Sequence, residues 1–260
     1  MRETALITGA SSGIGMELAG IFAREGYDLV LVARDEERLA GVRDALIKAY
    51  GNEVLVLPLD LAVPGAGEAL VDALRDQEMQ VDVLVNNAGI GIYGSFLDED
   101  AEKLRLMMRV NEVVPTMLAR LIGAQMADRG RGRILNVASL AGFFPGPGMS
   151  AYYATKAHLL SLSEALATEL APRGITVTAL CPGATATGFV DKANMERSRL
   201  VRGRKLASAK QVAEYGYHAL KKGKRVAIPG FRNRALVFAT RFLPRPWVTR
   251  LVARQQAPAK

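Results

Sequence analysis

The chain of 260 residues has a single cysteine, Cys181, and only two histidines, His158 and His218. One thiol excludes an internal disulfide and a cysteine-rich metal centre, and Cys181 reads as a small buried apolar residue. Neither histidine stands in a metal-ligand spacing, so neither a metal site nor a hydrolase triad is expected. No run of 18 apolar residues occurs, which leaves no candidate membrane-spanning helix. The N-terminus enters "TALITGASSGIG" without a basic, apolar leader, and a cytoplasmic location is expected. Carboxylates are scarce in one part only. Residues 1–196 carry 17 Lys/Arg against 25 Asp/Glu, whereas residues 197–260 carry 17 against one. So basic a segment points to an anionic partner, with a solvated face as the plain alternative.

Half of the residues are hydrophobic, enough for one large α/β domain to bury a core. Short apolar runs ("TALIT", "DLVLVA", "EVLVLPLD", "VDVLVNNAG", "RGRILNVAS", "GITVTALCPG", "RVAIPG") alternate with helical patterns. The helices are expected near 13–25, 35–50, 65–77, 100–128, 150–172 and 208–222. Seven strands of nearly continuous Val, Leu and Ile are covered on both faces, which predicts a doubly wound parallel sheet. Residues 1–228 then form one catalytic domain. Within it, 184–206 is too long and polar for a plain crossover and reads as a mobile substrate lid. Residues 229–260 form a basic amphipathic extension beyond the last strand.

Strand one runs into "TGASSGIG", followed by a helix. Gly9, Gly13 and Gly15 allow a tight turn close to a ligand, and with Ser11, Ser12 and Ile14 they lead to a helix N-terminus whose free N–H groups suit a pyrophosphate. A dinucleotide site is expected there. At the end of strand two, where an acidic residue would take a ribose 2′-hydroxyl, the chain has Ala33 and then Arg34. Arg34 suits a 2′-phosphate, so NADP(H) is favoured over NAD(H), although Asp35, Glu36 and Glu37 follow closely.

The stretch "AYYATKAHLL" places Tyr152 four residues and Tyr153 three residues before Lys156. On a helix either could reach the ammonium, and geometry alone does not choose. The glycine spacing G-x-x-x-G-x-G, "NNAG" at 86–89, Asn111 in a helix, Ser139 after strand five and Y-x-x-x-K at 152–156 together resemble the short-chain dehydrogenase/reductase family, over roughly residues 4–190. The resemblance implies a three-layer Rossmann fold and a hydride transfer between nicotinamide and a carbonyl or alcohol. It selects Tyr152 and makes Tyr153 a packing neighbour. Its catalytic set would be Asn111, Ser139, Tyr152 and Lys156. A nearby cation favours the phenolate, and Lys156 would lower the tyrosine pKa in this way. Asp60 and Leu61 would flank the adenine, with Asn87, Ala88 and Gly89 along the ribose. Pro182, Gly183 and Thr187 would lie near the nicotinamide, whose ribose hydroxyls Lys156 would bind. Pro115 lacks an N–H, so the carbonyl of Asn111 loses its helical partner and is free to hold a water. The resemblance also implies a homodimer or homotetramer built on the helices near 100–128 and 150–172.

The substrate pocket is expected between 89–96, 140–149 and the lid, with Ile92, Tyr93, Phe96, Phe143, Phe144, Met149, Phe189 and Met195 as apolar walls. They suit a hydrophobic carbonyl or alcohol, such as a 3-oxoacyl, steroid or other lipid-like ketone. Arginines and apolar clusters alternate in the tail, which Pro244 and Pro246 divide into two short helices. Such a tail fits an anionic membrane surface, an acidic acyl carrier protein, or a helix that merely covers the pocket or a subunit contact. No nucleic-acid motif accompanies the charge. A non-catalytic NADP(H) sensor or a membrane-docked scaffold is the alternative to an enzyme.

Overall fold

Strands that are apolar at every position need cover on both faces, and the fold supplies it. The computed structural model describes residues 2–195, 198–203 and 206–258. Its main sheet contains β1 (Thr4–Thr8), β2 (Asp28–Ala33), β3 (Val54–Pro58), β4 (Val83–Asn86), β5 (Gly132–Val137), β6 (Ile175–Leu180) and β9 (Val226–Ala227), all parallel, in the order β3-β2-β1-β4-β5-β6-β9. The expected seven-stranded, doubly wound Rossmann sheet is therefore present.

Alternation along β1 divides the core in two. Ala5 and Ile7 join Leu18, Phe22, Leu39 and Tyr217 on the side of α1 (Gly13–Arg24), α2 (Glu36–Tyr50) and α8 (Ala209–Lys221). Leu6 joins Leu70, Leu118 and Ile122 on the side of α3 (Ala66–Asp76) and α5 (Val114–Asp128). The helix expected near 100–128 is not continuous. It comprises α4 (Ala101–Met108), a π-turn at Arg109–Val113 and α5. Pro115 stands just past the π-turn, where its missing N–H removes one α-helical bond.

The segment 184–206 carries structure that was not expected, whereas the tail forms the two short helices expected of it. The segment 184–206 has its ends tied by a small parallel pair, β7 (Thr185–Ala186) with β8 (Ala207–Ser208), and carries α7 (Phe189–Lys192). Residues 196, 197, 204 and 205 of that segment lie outside the described residues. The tail forms α9 (Phe231–Thr240) and α10 (Arg245–Gln256) and folds back, so that Ser198 bridges to Pro258. Pro244 caps α10 and Pro246 sits in its first turn, where proline is tolerated.

Leu118 is fully buried between α5 and the sheet. Leu118→Ala should lower unfolding stability by about 2–5 kcal/mol in a urea titration. A loss no larger than that of an exposed-site control would contradict this packing.

Candidate active site

The strand order reverses between β1 and β4, the place where doubly wound sheets open a crevice at their carboxyl ends. A cleft of about 1130 Å³ lies there. Every residue expected from the sequence to bind cofactor or act on substrate lines this cleft, apart from Gly15 and Asn111.

The nucleotide end is built by β1, β2 and the turn into α1. Gly9 and Gly13 have φ of +67° and +57°, a region that side chains disfavour. A Cβ on Gly15 would come within 2.3 Å of the Gly9 carbonyl oxygen and 2.4 Å of Asn87 Nδ2, so Gly15 closes the turn from behind. Ser12 makes no side-chain cap, which leaves the first N–H groups of α1 open. Thr8, missed in the sequence, holds the neighbouring strand end: its Oγ1 accepts from Asn87 N and Ala88 N, each at 3.0 Å. Arg34 is exposed at the rim of the cleft and has no ion-pair partner among the described residues. Asp35, which follows it, is already engaged. Its carboxylate accepts from Arg38 N at 3.0 Å and pairs with Arg38 Nε at 3.1 Å, capping α2.

The chemical end lies between β5 and α6 (Ser150–Glu169). Lys156 is buried, and its Nζ donates to the Val137 carbonyl oxygen at 2.9 Å. Burial lowers its pKa to about 8, while the nearby Cys181 thiol acts weakly the other way. The Nζ stands 5.8 Å from the centre of the Tyr152 ring. Lys156 was expected to lower the phenol pKa. Burial instead pushes the Tyr152 phenol above its usual value, and the hydrogen bond with Ser139 is what opposes that rise. Ser139 Oγ also accepts from Ala141 N at 3.1 Å.

Asn111 stands behind this group, in the π-turn, and is buried. Its Oδ1 accepts from Ile90 N at 2.9 Å, while its Nδ2 donates to Ile90 O at 2.8 Å and to Thr155 Oγ1 at 3.0 Å. Thr155 Oγ1 donates in turn to the Tyr152 carbonyl at 2.8 Å. A Cβ on Gly89 would meet Lys156 Nζ at 3.4 Å and Asn111 Oδ1 at 3.5 Å, so the missing side chain leaves room at both groups. A second buried polar chain, from Asn86 through Asn136 to Ser163, crosses from β4 and β5 to α6. Nothing in the spacing of these residues announced it.

Tyr153 takes the other direction. Its hydroxyl accepts from Gln256 Nε2 at 2.7 Å, and Tyr93 donates to the Gln256 carbonyl. The substrate end is therefore walled by Phe144, Met149, Phe189 and Met195, as expected, and also by Leu236, Val248, Leu251 and Val252 from the tail. Ile92, Tyr93, Phe96 and Phe143 do not line the cleft. Phe143 packs beside Leu160 and Cys181, and Phe96 faces outward. The stretch Gly9–Gly13 also spells the G-x-S-x-G string of a hydrolase elbow, but no histidine lines the cleft to serve a serine there. Among the described residues no cluster of metal ligands occurs.

The family model described as short chain dehydrogenase matches residues 3–198. This chain belongs to the short-chain dehydrogenase/reductase family. Ketoacyl reductase HetN of a Nostoc species is 35% identical over 222 residues, 84% of this chain and 75% of HetN. A short-chain dehydrogenase from Sphingobium yanoikuyae, solved in complex with NADPH, shares 36% identity and a TM-score of 0.83 over 92% of this chain and 93% of that one. A bulky-bulky ketone specific alcohol dehydrogenase from Comamonas testosteroni shares 33% identity and a TM-score of 0.79, with 92% of each chain covered. The chain spans about a third of the length of the mycobacterial relative EphD, 31% of which is matched. The chain has no helix, among its described residues, long and apolar enough to cross a membrane.

The buried lysine gives this chain a pH signature. Its pKa is about 8 when folded against 10.5 in an open chain, so the unfolded state holds more protons between those values. The penalty for burying the ammonium, roughly 3 kcal/mol at most, is present below pH 8 and fades as pH rises to 10. In nucleotide-free protein, Lys156→Met should therefore gain most relative to the parent near neutral pH and least near pH 10. Paired urea titrations across that range check it, and a gap that fails to narrow would reject the assignment.

Proposed function

We propose that the chain is an NADP(H)-dependent oxidoreductase that transfers hydride between nicotinamide and a hydrophobic carbonyl or alcohol. One observation carries the reading: a single cleft joins an open glycine turn and a free arginine to Ser139, Tyr152 and Lys156, and continues into an apolar wall. The residues fit the cofactor. The turn from Gly9 to Gly15 leaves backbone space and open N–H groups for a pyrophosphate, and Arg34 has no ion-pair partner among the described residues, with Asp35 occupied in capping α2. Asp60 and Leu61 would bound the adenine, with Asn87, Ala88 and Gly89 beside the ribose. Pro182, Gly183 and Thr187 would hold the nicotinamide. The NADPH complex of the Sphingobium relative agrees with this choice.

When bound, the nicotinamide supplies or accepts the hydride. In the reducing direction Ser139 donates its hydroxyl to the substrate oxygen, where charge develops. Tyr152 then gives its proton to the alkoxide. A phenol raised by burial holds that proton until it is needed, and the Lys156 ammonium stabilises the phenolate that remains. The Asn111 Nδ2 spends both its protons on Ile90 and Thr155, and its Oδ1 accepts from Ile90. A water that returns protons to Lys156 would therefore rest on the main-chain carbonyl of Asn111. The exposed apolar residues Leu106, Met108 and Val113 on α4 and the π-turn suit burial in a homo-oligomer.

Oxidation of NADPH, and separately NADH, should be followed against carbonyls from acetoacetyl thioesters through long-chain and steroid ketones to small aldehydes. Turnover should favour NADPH and bulky apolar ketones. Tyr152→Phe should lose roughly a hundredfold or more in kcat while keeping NADPH affinity. Arg34→Ala should weaken NADPH about tenfold or more with little change for NADH. Undiminished turnover in Tyr152→Phe would overturn the assigned proton donor, and equal losses for both nucleotides would overturn the role of Arg34.

A further inference from the structure

Helices α9 and α10 have two unlike faces. The inner one belongs to the cleft, through Leu236, Thr240, Val248 and Val252. The outer one presents large apolar side chains to solvent: Phe231 is 76% exposed, Phe238 60%, Phe242 74% and Trp247 63%. Phe238 and Phe242 touch edge to face, with ring centres 5.3 Å apart. Scattered exposed apolar residues are ordinary, but a grouped set on one segment marks an interaction surface. Six arginines, at 232, 234, 241, 245, 250 and 254, lie among them, all exposed. None has a carboxylate partner among the described residues, and the sequence contains no Asp or Glu after Glu214.

We infer that this outer face docks on an anionic lipid bilayer, with Phe231, Phe238, Phe242 and Trp247 at the boundary of headgroups and acyl chains and the arginines on lipid phosphates. The pattern of aromatics and single-sign charge on short helices is that of an interfacial element. Charge selects the occupant. A second copy of the face would set six arginines against six, and like charges in register repel. An acidic protein would answer the arginines, but a bilayer answers both properties at once, uniformly anionic above and apolar beneath. The inner face of the same helices walls the cleft, so docking would turn the substrate end toward the membrane. The inference concerns the outer face alone and stands whether or not the proposed reaction holds.

Trp247 is the only tryptophan, so its emission reports on the face directly. The full chain should be mixed with phosphatidylcholine vesicles, either pure or containing about a third phosphatidylglycerol, at low and then high salt. The expected result is a blue shift and co-flotation with the anionic vesicles, little with the neutral ones, and release as salt rises. Phe238→Ser combined with Phe242→Ser should cut the vesicle-bound fraction about tenfold or more. These residues do not line the cleft, so NADPH binding and thermal unfolding should stay unchanged. Four outcomes would each overturn the inference: no shift with anionic vesicles, equal binding to neutral ones, a shift on concentrating the protein alone, or a shift with an acidic acyl carrier protein but not with lipid.

Discussion

A buried ammonium must find an oxygen, and in this fold Lys156 finds the carbonyl of Val137 at the end of β5. That bond fixes the distance between the last strand residue before Ser139 and the helix that carries Tyr152. Gly89 lies beside the amine, and the loop at 90 that borders it is held by the Asn111 amide on both its N–H and its carbonyl. The π-turn sets Asn111 where it can make these bonds and reach Thr155 as well. Each of these features is costly in isolation: a charge out of water, a glycine, an irregular helix. Together they hold a cation close to a phenol that burial would otherwise keep protonated.

At the opposite end of the cleft the constraint is one of space. The backbone of the first turn lies against Asn87 so closely that no side chain fits at Gly15. Thr8 knits the ends of β1 and β4 together, accepting from Asn87 N and Ala88 N on its hydroxyl and from Asn87 Nδ2 on its carbonyl. The nucleotide end is thus rigid because its atoms are near contact, whereas the substrate end is assembled from loops and helices that arrive from distant parts of the chain.

Much of this was legible in the sequence, for identifiable reasons. Continuous apolar strands and glycines between a strand and a helix are local signals, so the parallel seven-stranded sheet and the first turn could be read directly, while Ser139, Tyr152 and Lys156 were picked out by the family's motif spacing. The pairing of Asp35 with Arg38 was not legible, because a helix cap and a surface carboxylate look alike until the backbone is placed. The π-turn was hinted at only by Pro115. The return of α10 to the cleft depends on Gln256 meeting Tyr153 and Tyr93, more than a hundred residues away. Half of the expected pocket walls failed for a similar reason: an apolar residue in a loop beside a sheet can turn inward to the core, as Phe143 does, or outward, as Phe96 does.

The wall contributed by 231–256 shares no element with the turn at 9–15, and Tyr152 lies between them on α6. Substitutions in separate, non-touching parts of a protein add nearly independently. The tail can therefore change in shape without disturbing the first turn, and Arg34 can be exchanged without reshaping the wall. Within this architecture, the shape of the apolar wall and the charge at the rim of the first turn can change separately.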